Sequence, residues 1–474
     1  MKESILDGKK HIHFIGIGGS GMYPLAQILH SKGFYLTGSD NNETETLDAV
    51  RKMGIPVFVG QRAENIEGAD LIVHTAAIMS DNPELIASKA SGVPVLERSE
   101  LLGIVTSWYE NAICVSGTHG KTTTSSMITQ ILYTQNIDIS AFIGGKLPCI
   151  GGSGLAGEKN DILVCEACEF VDTFLKLYPD TAVILNIDAD HLDYFKTLDN
   201  IIRSFRKFAE KTTKTLIINA DDENTMKAID GITGKNIITF GTSDSCNYYP
   251  ADIKKINGTE TEYTLMHDSK PLTRITLNVP GTHNILNSVA AAAAAHNSGA
   301  TPEFIVKGLN EFTGAKRRFE IVGKINGITI ADDYAHHPAE LTVTLNAAMQ
   351  MGYKRVWAVF QPFTFSRTSM LIDDFAKALS IADRVVLTNI MGSREKNTLN
   401  MYTKDLGDKI ENCIYFDKDK KALQTNENKQ ADFDKITDYI CQNASAGDLV
   451  ITLGCGDVYK IAKAVCKKLA PSAE

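Results

Sequence analysis

Between residues 112 and 134 the chain runs from an apolar segment, Ala112-Ile113-Cys114-Val115, into Gly117-Thr118-His119-Gly120-Lys121-Thr122-Thr123. Beyond it, Met127, Ile128, Ile131 and Leu132 recur at helical spacing. Strand, glycine loop, Lys-Thr, helix is the order in which a backbone closes on nucleotide phosphates. Glycines let N–H groups converge on the anion, and the helix N-terminus adds a favourable dipole. The lysine supplies a point charge, and the threonine hydroxyl is a ligand suited to Mg²⁺. Only two residues separate the glycines here, where the common phosphate loop has four. A Gly-Lys-Thr that merely starts a helix is the plain alternative, but the flanking strand and helix favour a phosphate site.

An anion-binding loop in an acidic chain needs local donors. Formal net charge is -9, which argues against non-specific nucleic-acid binding. With 474 residues, 43% of them hydrophobic, the chain has material for about three domains. No stretch approaches the roughly 18 apolar residues of a membrane span, so no membrane insertion is expected. Met1 to Lys10 is polar and lacks a signal-peptide core. Nine scattered cysteines give no disulfide framework, which suits a reducing cytoplasm. Cys165 and Cys168 form a lone Cys-x-x-Cys, read as lying in and just after a buried strand rather than as a zinc site. Nothing in the sequence specifies an oligomer.

Taken in order, His11 to Ile15 reads as a strand, followed by the turn Gly16-Ile17-Gly18-Gly19-Ser20-Gly21 and a helix from Met22 to Lys32. That is a dinucleotide-type turn with Asp40 placed as a ribose-reading acid, and it offers a diphosphate site at a helix N-terminus. Strands follow at Leu71 to His74 and Val93 to Leu96, and a first domain, 1–109, ends near Tyr109. A second domain, 110–314, opens with the phosphate loop. Its runs Ile162 to Glu166 and Ala182 to Ile187 lead into a carboxylate and into Asp188-Ala189-Asp190-His191. Ligands of parallel α/β sheets bind beyond the carboxyl ends of the strands. If these strands are neighbours, a phosphate cradle, Glu166 and His191 meet there as a Mg²⁺–nucleotide constellation. Residues 215–276 read as strands and turns. Asn284 and Asn287 stand near the start of an alanine-rich helix, as caps or as amides for a purine edge. A third domain, 315–474, begins at Lys316-Arg317-Arg318, two arginines able to reach a phosphate across a domain junction. Its strand Ile328 to Ala331 ends in Asp332-Asp333-Tyr334-Ala335-His336-His337-Pro338, another candidate site. Strands at Arg355 to Phe360, Arg384 to Thr388 and Asp448 to Leu453 alternate with helical stretches. The fold class is α/β: a Rossmann-like N-terminal domain, a central P-loop ATPase-like domain and a C-terminal Rossmann-like domain in series.

In this order the motifs Gly16 to Met22, Gly117 to Thr123, Asn186 to Asp193, Arg317 to Glu320, Asp332 to Pro338 and Phe360-Gln361-Pro362 with Ser366-Arg367-Thr368 resemble those of the Mur ligases, from His11 to Asp457. The short glycine spacing is the one that family uses. The resemblance implies an ATP-dependent amide-bond ligase of peptidoglycan synthesis, joining L-alanine to the carboxylate of UDP-N-acetylmuramate through an acyl phosphate. It implies that Gly16, Gly18, Gly19, Ser20 and Gly21 hold the UDP diphosphate, with Asp40 and His74-Thr75-Ala76 near the nucleoside. Gly117, Thr118, His119, Gly120, Lys121, Thr122 and Thr123 bind ATP, and Lys121 contacts its β- and γ-phosphates. Thr122 and Glu166 hold one Mg²⁺ and His191 serves a second. Asn284 or Asn287 faces the adenine, Arg318 reaches the phosphates, and Asp333 sits by the ribose. His336, His337 and Arg367 lie on the amino-acid side.

Two departures from the family pattern stand out. Phe363 and Thr364 follow Gln361-Pro362 where a histidine is common, and the run after Glu166, Ala167-Cys168-Glu169-Phe170-Val171, has fewer acids than is usual. Arg203, Arg206 and Lys207 fill the region where several relatives carry a carbamylated lysine, so none is expected. Competing readings are a ligase that adds a recycled peptide to the same sugar nucleotide, a nicotinamide-dependent dehydrogenase, and a nucleotide-gated binding module. The dehydrogenase leaves Gly-Lys-Thr unexplained, and the binding module requires Lys121 to be dispensable.

Overall fold

The structure is a computed structural model that describes residues 5–393, 395–416 and 426–470. The chain divides into two compact units. The first takes the chain up to Lys254 with Glu262–Asn278 and Thr282–Ala315, and the second takes Lys255–Thr261, Val279–Gly281 and the described residues from Lys316 on.

The first unit holds two sheets. One is β1 (His11–Ile15), β2 (Tyr35–Asp40), β3 (Val57–Val59), β4 (Leu71–His74) and β5 (Val95–Glu97), all parallel, in the order β3-β2-β1-β4-β5. Parallel strands are covered on both faces and so read as apolar runs. Ile12, Phe14, Leu71, Ile72 and Val73 are accordingly fully buried. Strand order reverses between β1 and β4, so the loops after Ile15 and His74 flank the crevice where ligands of such sheets bind.

The other sheet comprises β6 (Asn111–Ser116), β7 (Ile139–Leu147), β8 (Gly152–Leu155), β9 (Ile162–Glu166), β10 (Thr181–Ile184), β11 (Thr215–Asn219), β12 (Asn236–Phe240), β13 (Tyr248–Lys255), β14 (Thr261–His267) and β15 (Lys270–Leu277). Its order is β15-β14-β13-β12-β11-β10-β6-β9-β7-β8. β10, β6 and β9 are parallel neighbours with β6 in the middle. The adjacency that the sequence reading required as a condition is therefore present. Residues 215–276 also contain a helix, Glu223–Ile229, N-capped by Asp222; two turns are too short to show a helical period.

The phosphate-loop helix, Lys121–Thr134, is buried from Thr124 to Leu132 and packs against helices His283–Asn297 and Pro302–Asn310. Small side chains permit the close approach. Ala290 to Ala295 are fully buried, and a Cβ at Gly308 would lie 2.7 Å from the Ile131 Cα. The loop is thus mounted on a helix clamped in the core, and rigid mounting is what a preorganised anion site requires.

In the second unit β16 (Glu320–Ile325), β17 (Ile328–Asp333), β18 (Arg355–Phe360), β19 (Arg384–Leu387), β20 (Cys413–Tyr415) and β21 (Asp448–Leu453) form a sheet in the order β16-β17-β21-β18-β19-β20. Only the β16–β17 pair is antiparallel. β21, added last, is central and wholly buried.

Candidate active site

The loop after β6 is shaped by glycines that could be nothing else. Gly117 and Gly120 have φ of 143° and 87°, left-handed values that cost other residues strain. A Cβ at Gly117 would lie 2.9 Å from the Leu185 Cβ, and one at Gly120 would lie 2.5 Å from Asn287 Oδ1. The neighbouring loop after β10 clamps this one. Thr118 N–H donates to Asn186 O (3.0 Å) and His119 N–H donates to Asn186 Oδ1 (2.8 Å). Asn186 Nδ2 donates to His119 O (3.1 Å), and Asp188 N–H donates to Thr118 Oγ1 (2.8 Å). Asn186 was not singled out from sequence, because its role is to hold backbone and leaves no chemical signature.

Of the three groups expected to act together, the phosphate loop and Glu166 are in direct contact at this edge. Thr122 Oγ1 donates to Glu166 Oε2 at 2.8 Å, and Gly144 N–H donates to the same oxygen at 2.9 Å. A Cβ at Gly144 would lie 2.5 Å from Glu166 Oε2, so glycine there lets the β7 backbone close on the carboxylate. One hydroxyl and one carboxylate in contact fit Mg²⁺, which keeps water and phosphate oxygens for most of its sphere. Among the described residues no cluster of three or more His, Cys, Asp or Glu could cage a metal alone. His191 lies seven residues beyond the end of β10, N-caps a short helix, and adopts a left-handed φ of 53°. Its ring packs on Phe170 at 4.6 Å, and its Nε2 lies 3.8 Å from Asp190 Oδ2. Val171 and Asp172 are also left-handed, at 54° and 56°, so backbone strain gathers here, as it does at functional sites.

Lys121 does not project freely. Its Nζ donates to Gly117 O (2.6 Å) and Thr118 O (3.0 Å) and meets both oxygens of Glu169 at 2.9 and 3.0 Å. Burial alone would lower the lysine pKa; the charge of Glu169, helped by Cys168 and Glu166, outweighs it and pushes the value up to about 12. Glu169 is 3% exposed. Sequence reading passed it over as one of a thinned run of acids.

Asn284 and Asn287 are not caps. Thr282 occupies the cap position, and both amides lie inside the helix, with Asn287 Nδ2 donating to Asn284 Oδ1 at 2.9 Å. Asn287 is 7% exposed and lies against Gly120.

In the five-stranded sheet the first glycine turn and the His74-Thr75-Ala76 loop come together: a Cβ at Gly16 would lie 2.7 Å from Thr75 Cγ2. Gly19 N–H donates to Gly16 O, which closes the turn ahead of Ser20 and Gly21. Asp40 accepts from Gly18 N–H at 3.0 Å and from Asn42 N–H at 3.1 Å, so it braces the turn itself. A second residue missed from sequence is Arg98, at the start of helix Arg98–Thr106. A Cβ at Gly21 would lie 3.0 Å from its Cδ, and its guanidinium lies 6.0 Å from the Phe142 ring centre on β7. Arg98 therefore stands between the first glycine turn and the strand that backs Glu166.

The second unit separates the two adjacent arginines. Arg317, left-handed at φ 64°, is spent on scaffolding: its Nε bonds Asp332 (3.0 Å) and its other nitrogens bond Gly454 O and Cys455 O. Arg318 lies over the Tyr334 ring at 5.3 Å. The expectation that Arg317 is available for a phosphate fails, because the buried Asp332 carboxylate holds it. Asp333 accepts from Phe319 N–H (2.7 Å) and Ala335 N–H (2.8 Å) and is buried. Burial pushes its pKa up to about 6 against the pull of Arg318 and those amides. His336 Nδ1 lies 3.1 Å from Glu340 Oε2, while the His337 side chain caps helix Pro338–Met349. Burial would raise the pKa of Glu340, but the hydrogen bond and charge of His336, then Arg318, hold it well below the usual range. Thr364 caps the short helix carrying Arg367, and the Phe363 ring lies 6.4 Å from that of His336.

Three family models match the chain: "Mur ligase family, catalytic domain" over residues 11–109, "Mur ligase middle domain" over 115–295, and "Mur ligase, glutamate ligase domain" over 317–456. A UDP-N-acetylmuramate–L-alanine ligase of Acetivibrio thermocellus is 43% identical, covering 98% of this chain and 97% of that protein. The crystal structure of the UDP-N-acetylmuramate–alanine ligase of Thermotoga maritima matches with a TM-score of 0.79 at 28% identity, over 97% of this chain and 99% of that one. A murein peptide ligase of Psychrobacter arcticus shares the fold, with a TM-score of 0.72 at 24% identity, over 97% and 98% of the two chains.

Proposed function

The chain belongs to the Mur ligase family, and from that premise we propose how its residues divide the work of an ATP-dependent ligation. The protein joins L-alanine to the carboxylate of UDP-N-acetylmuramate, a step of peptidoglycan precursor synthesis, as its relatives do. The observation that carries the reading is the convergence of Gly117–Thr122 and Glu166 at the carboxyl ends of adjacent strands β6 and β9.

A carboxylate is a poor electrophile. Its oxygen attacks the γ-phosphorus of ATP, ADP leaves, and an acyl phosphate forms. The amine of L-alanine then adds to the acyl carbon, and the tetrahedral intermediate expels phosphate. Each step builds charge on oxygen, and donors fixed in advance stabilise it. Lys121 and the loop N–H groups take the phosphates. Thr122 and Glu166 would hold Mg²⁺, with His191 assigned to a second ion; bound magnesium would neutralise charge on the phosphoryl oxygens. We assign Asn284 or Asn287, the latter lying against Gly120, to the nucleotide base. The turn Gly16–Gly21 takes the UDP diphosphate, with His74 to Ala76 and Asp40 shaping the nucleoside side, and Arg98 attracts the acidic sugar nucleotide. Arg318, Asp333, His336 and Arg367 are the second unit's contribution, with Arg367 assigned to the amino-acid carboxylate. We take 1–109, 110–314 and 315–474 as the sugar-nucleotide, ATP and amino-acid domains. No helix among the described residues is long and apolar enough to cross a membrane, and we place the reaction in the cytoplasm, where ATP and UDP-sugars are made.

The test is phosphate release. It requires ATP, UDP-N-acetylmuramate and L-alanine together; release at an equal rate without the amino acid sinks the reading. Turnover with a tripeptide acceptor in preference to L-alanine would assign the chain to the peptide-recycling branch.

A further inference from the structure

The ammonium of Lys121 has three N–H groups, and three acceptors use them, Gly117 O, Thr118 O and Glu169 Oε1, all within 3.0 Å, while Glu169 Oε2 lies 2.9 Å away in the same ion pair. No donor is left for a phosphate. For Lys121 to reach a nucleotide, at least part of this set must be given up. The Gly117 and Thr118 carbonyls belong to the loop and are replaceable by solvent, whereas Glu169 is a carboxylate at 3% exposure. Its ion pair with the ammonium is the contact that costs most to break, because the departing lysine leaves a buried charge uncompensated.

We propose that Glu169 is a positioning residue that holds Lys121 folded back over its own loop and hands it over when nucleotide binds, so that ATP displaces a buried ion pair and a second cation must replace Lys121 beside Glu169. The inference rests on the ligase reading only in taking the loop as the ATP site. Three features beyond the pair support it. Glu169 follows the metal-side Glu166 by three residues, so a magnesium ion arriving with the nucleotide comes within one loop of it. Phe170, the next residue, packs on His191. The segment then ends at Lys176, whose Nζ donates to Ser99 (2.9 Å) and lies 3.4 Å from Glu97, on and next to the helix that begins at Arg98. One short stretch therefore touches the phosphate-loop lysine, the metal-side histidine and the sugar-nucleotide domain. The exchange predicts that ATP binds this enzyme poorly without magnesium, for reasons that lie in the protein as well as in the nucleotide.

The experiment is calorimetric titration of the full-length protein with ATP, in EDTA and in magnesium, with no sugar nucleotide or amino acid present. Glu169→Gln strengthens metal-free binding roughly tenfold, the size of one charged hydrogen bond, and narrows the gap between the two conditions. Removing a negative charge could favour ATP by simple repulsion, so the comparison is repeated in Lys121→Met. There Glu169→Gln changes metal-free affinity less than about twofold, since no ion pair remains to be displaced. Glu169→Asp draws the carboxylate back by one methylene while keeping its charge; it shows the same dependence on Lys121 and serves should the glutamine variant not fold. Unchanged or weaker metal-free binding in Glu169→Gln overturns the inference, as does an equal gain in both backgrounds. A wild-type protein that binds no ATP under either condition would instead remove the ligase reading and the inference with it.

Discussion

At the scale of single residues the site is a set of opposed charges held close. Lys121→Ala removes the ammonium assigned to the developing phosphoryl charge, and we expect kcat to fall at least about a hundredfold, roughly 3 kcal/mol, with a lower melting temperature because Glu169 is left buried without its partner; single-turnover phosphate release and thermal melts measure the two effects. Asp333 makes a different prediction. Its folded pKa of about 6 lies above the ordinary 3.8, so the folded state binds the proton more tightly. Stability from this group is fully present below about pH 4 and is lost as pH rises through 6. The full effect is at most roughly 3 kcal/mol. Glu340, whose pKa is depressed, slopes the other way at lower pH. Thermal melts between pH 4 and 7 should therefore show a smaller decline with rising pH in Asp333→Asn than in the parent. Parallel profiles for the two proteins contradict the assignment.

At the scale of elements, loops carry the site and strands carry the loops. Gly120→Ala puts a Cβ 2.5 Å from Asn287 Oδ1 at a left-handed φ of 87°. It should raise the KM for ATP well above tenfold while leaving that for UDP-N-acetylmuramate near its parent value, because the first glycine turn is built on a separate sheet. Steady-state kinetics with each substrate varied reads this. Strand positions and the phosphate loop were legible in the sequence, because buried parallel strands are continuous apolar runs and glycine loops have fixed chemistry. That β6 lies between β9 and β10 was legible only as a condition, since nothing local states which strands pair. Arg98 and the clamping role of Asn186 were invisible for the same reason: each acts on a backbone or turn distant in sequence. The two arginines at 317 and 318 look alike in the chain, and only the fold shows that Arg317 is held by Asp332 with the Gly454 and Cys455 carbonyls. For Asn284 and Asn287 the sequence left a cap and a purine-facing amide both open, and Thr282 takes the cap position.

At the scale of the whole molecule, each of the three sheets carries acidic side chains at the carboxyl ends of its strands, Asp40 in the first, Glu166 in the second and Asp333 in the third. Chain length, three matched family segments and the order of motifs agree on one ligase. The account's central claim is that the sugar-nucleotide carboxylate attacks the γ-phosphate, so one of its oxygens leaves with phosphate. The most direct measurement is mass analysis of phosphate released with ATP, L-alanine and UDP-N-acetylmuramate labelled with ¹⁸O in its carboxylate. Each phosphate released should carry one labelled oxygen, with the other retained in the new amide. Unlabelled phosphate, with product still formed, would contradict the acyl-phosphate route and with it the roles given to Lys121 and Glu166.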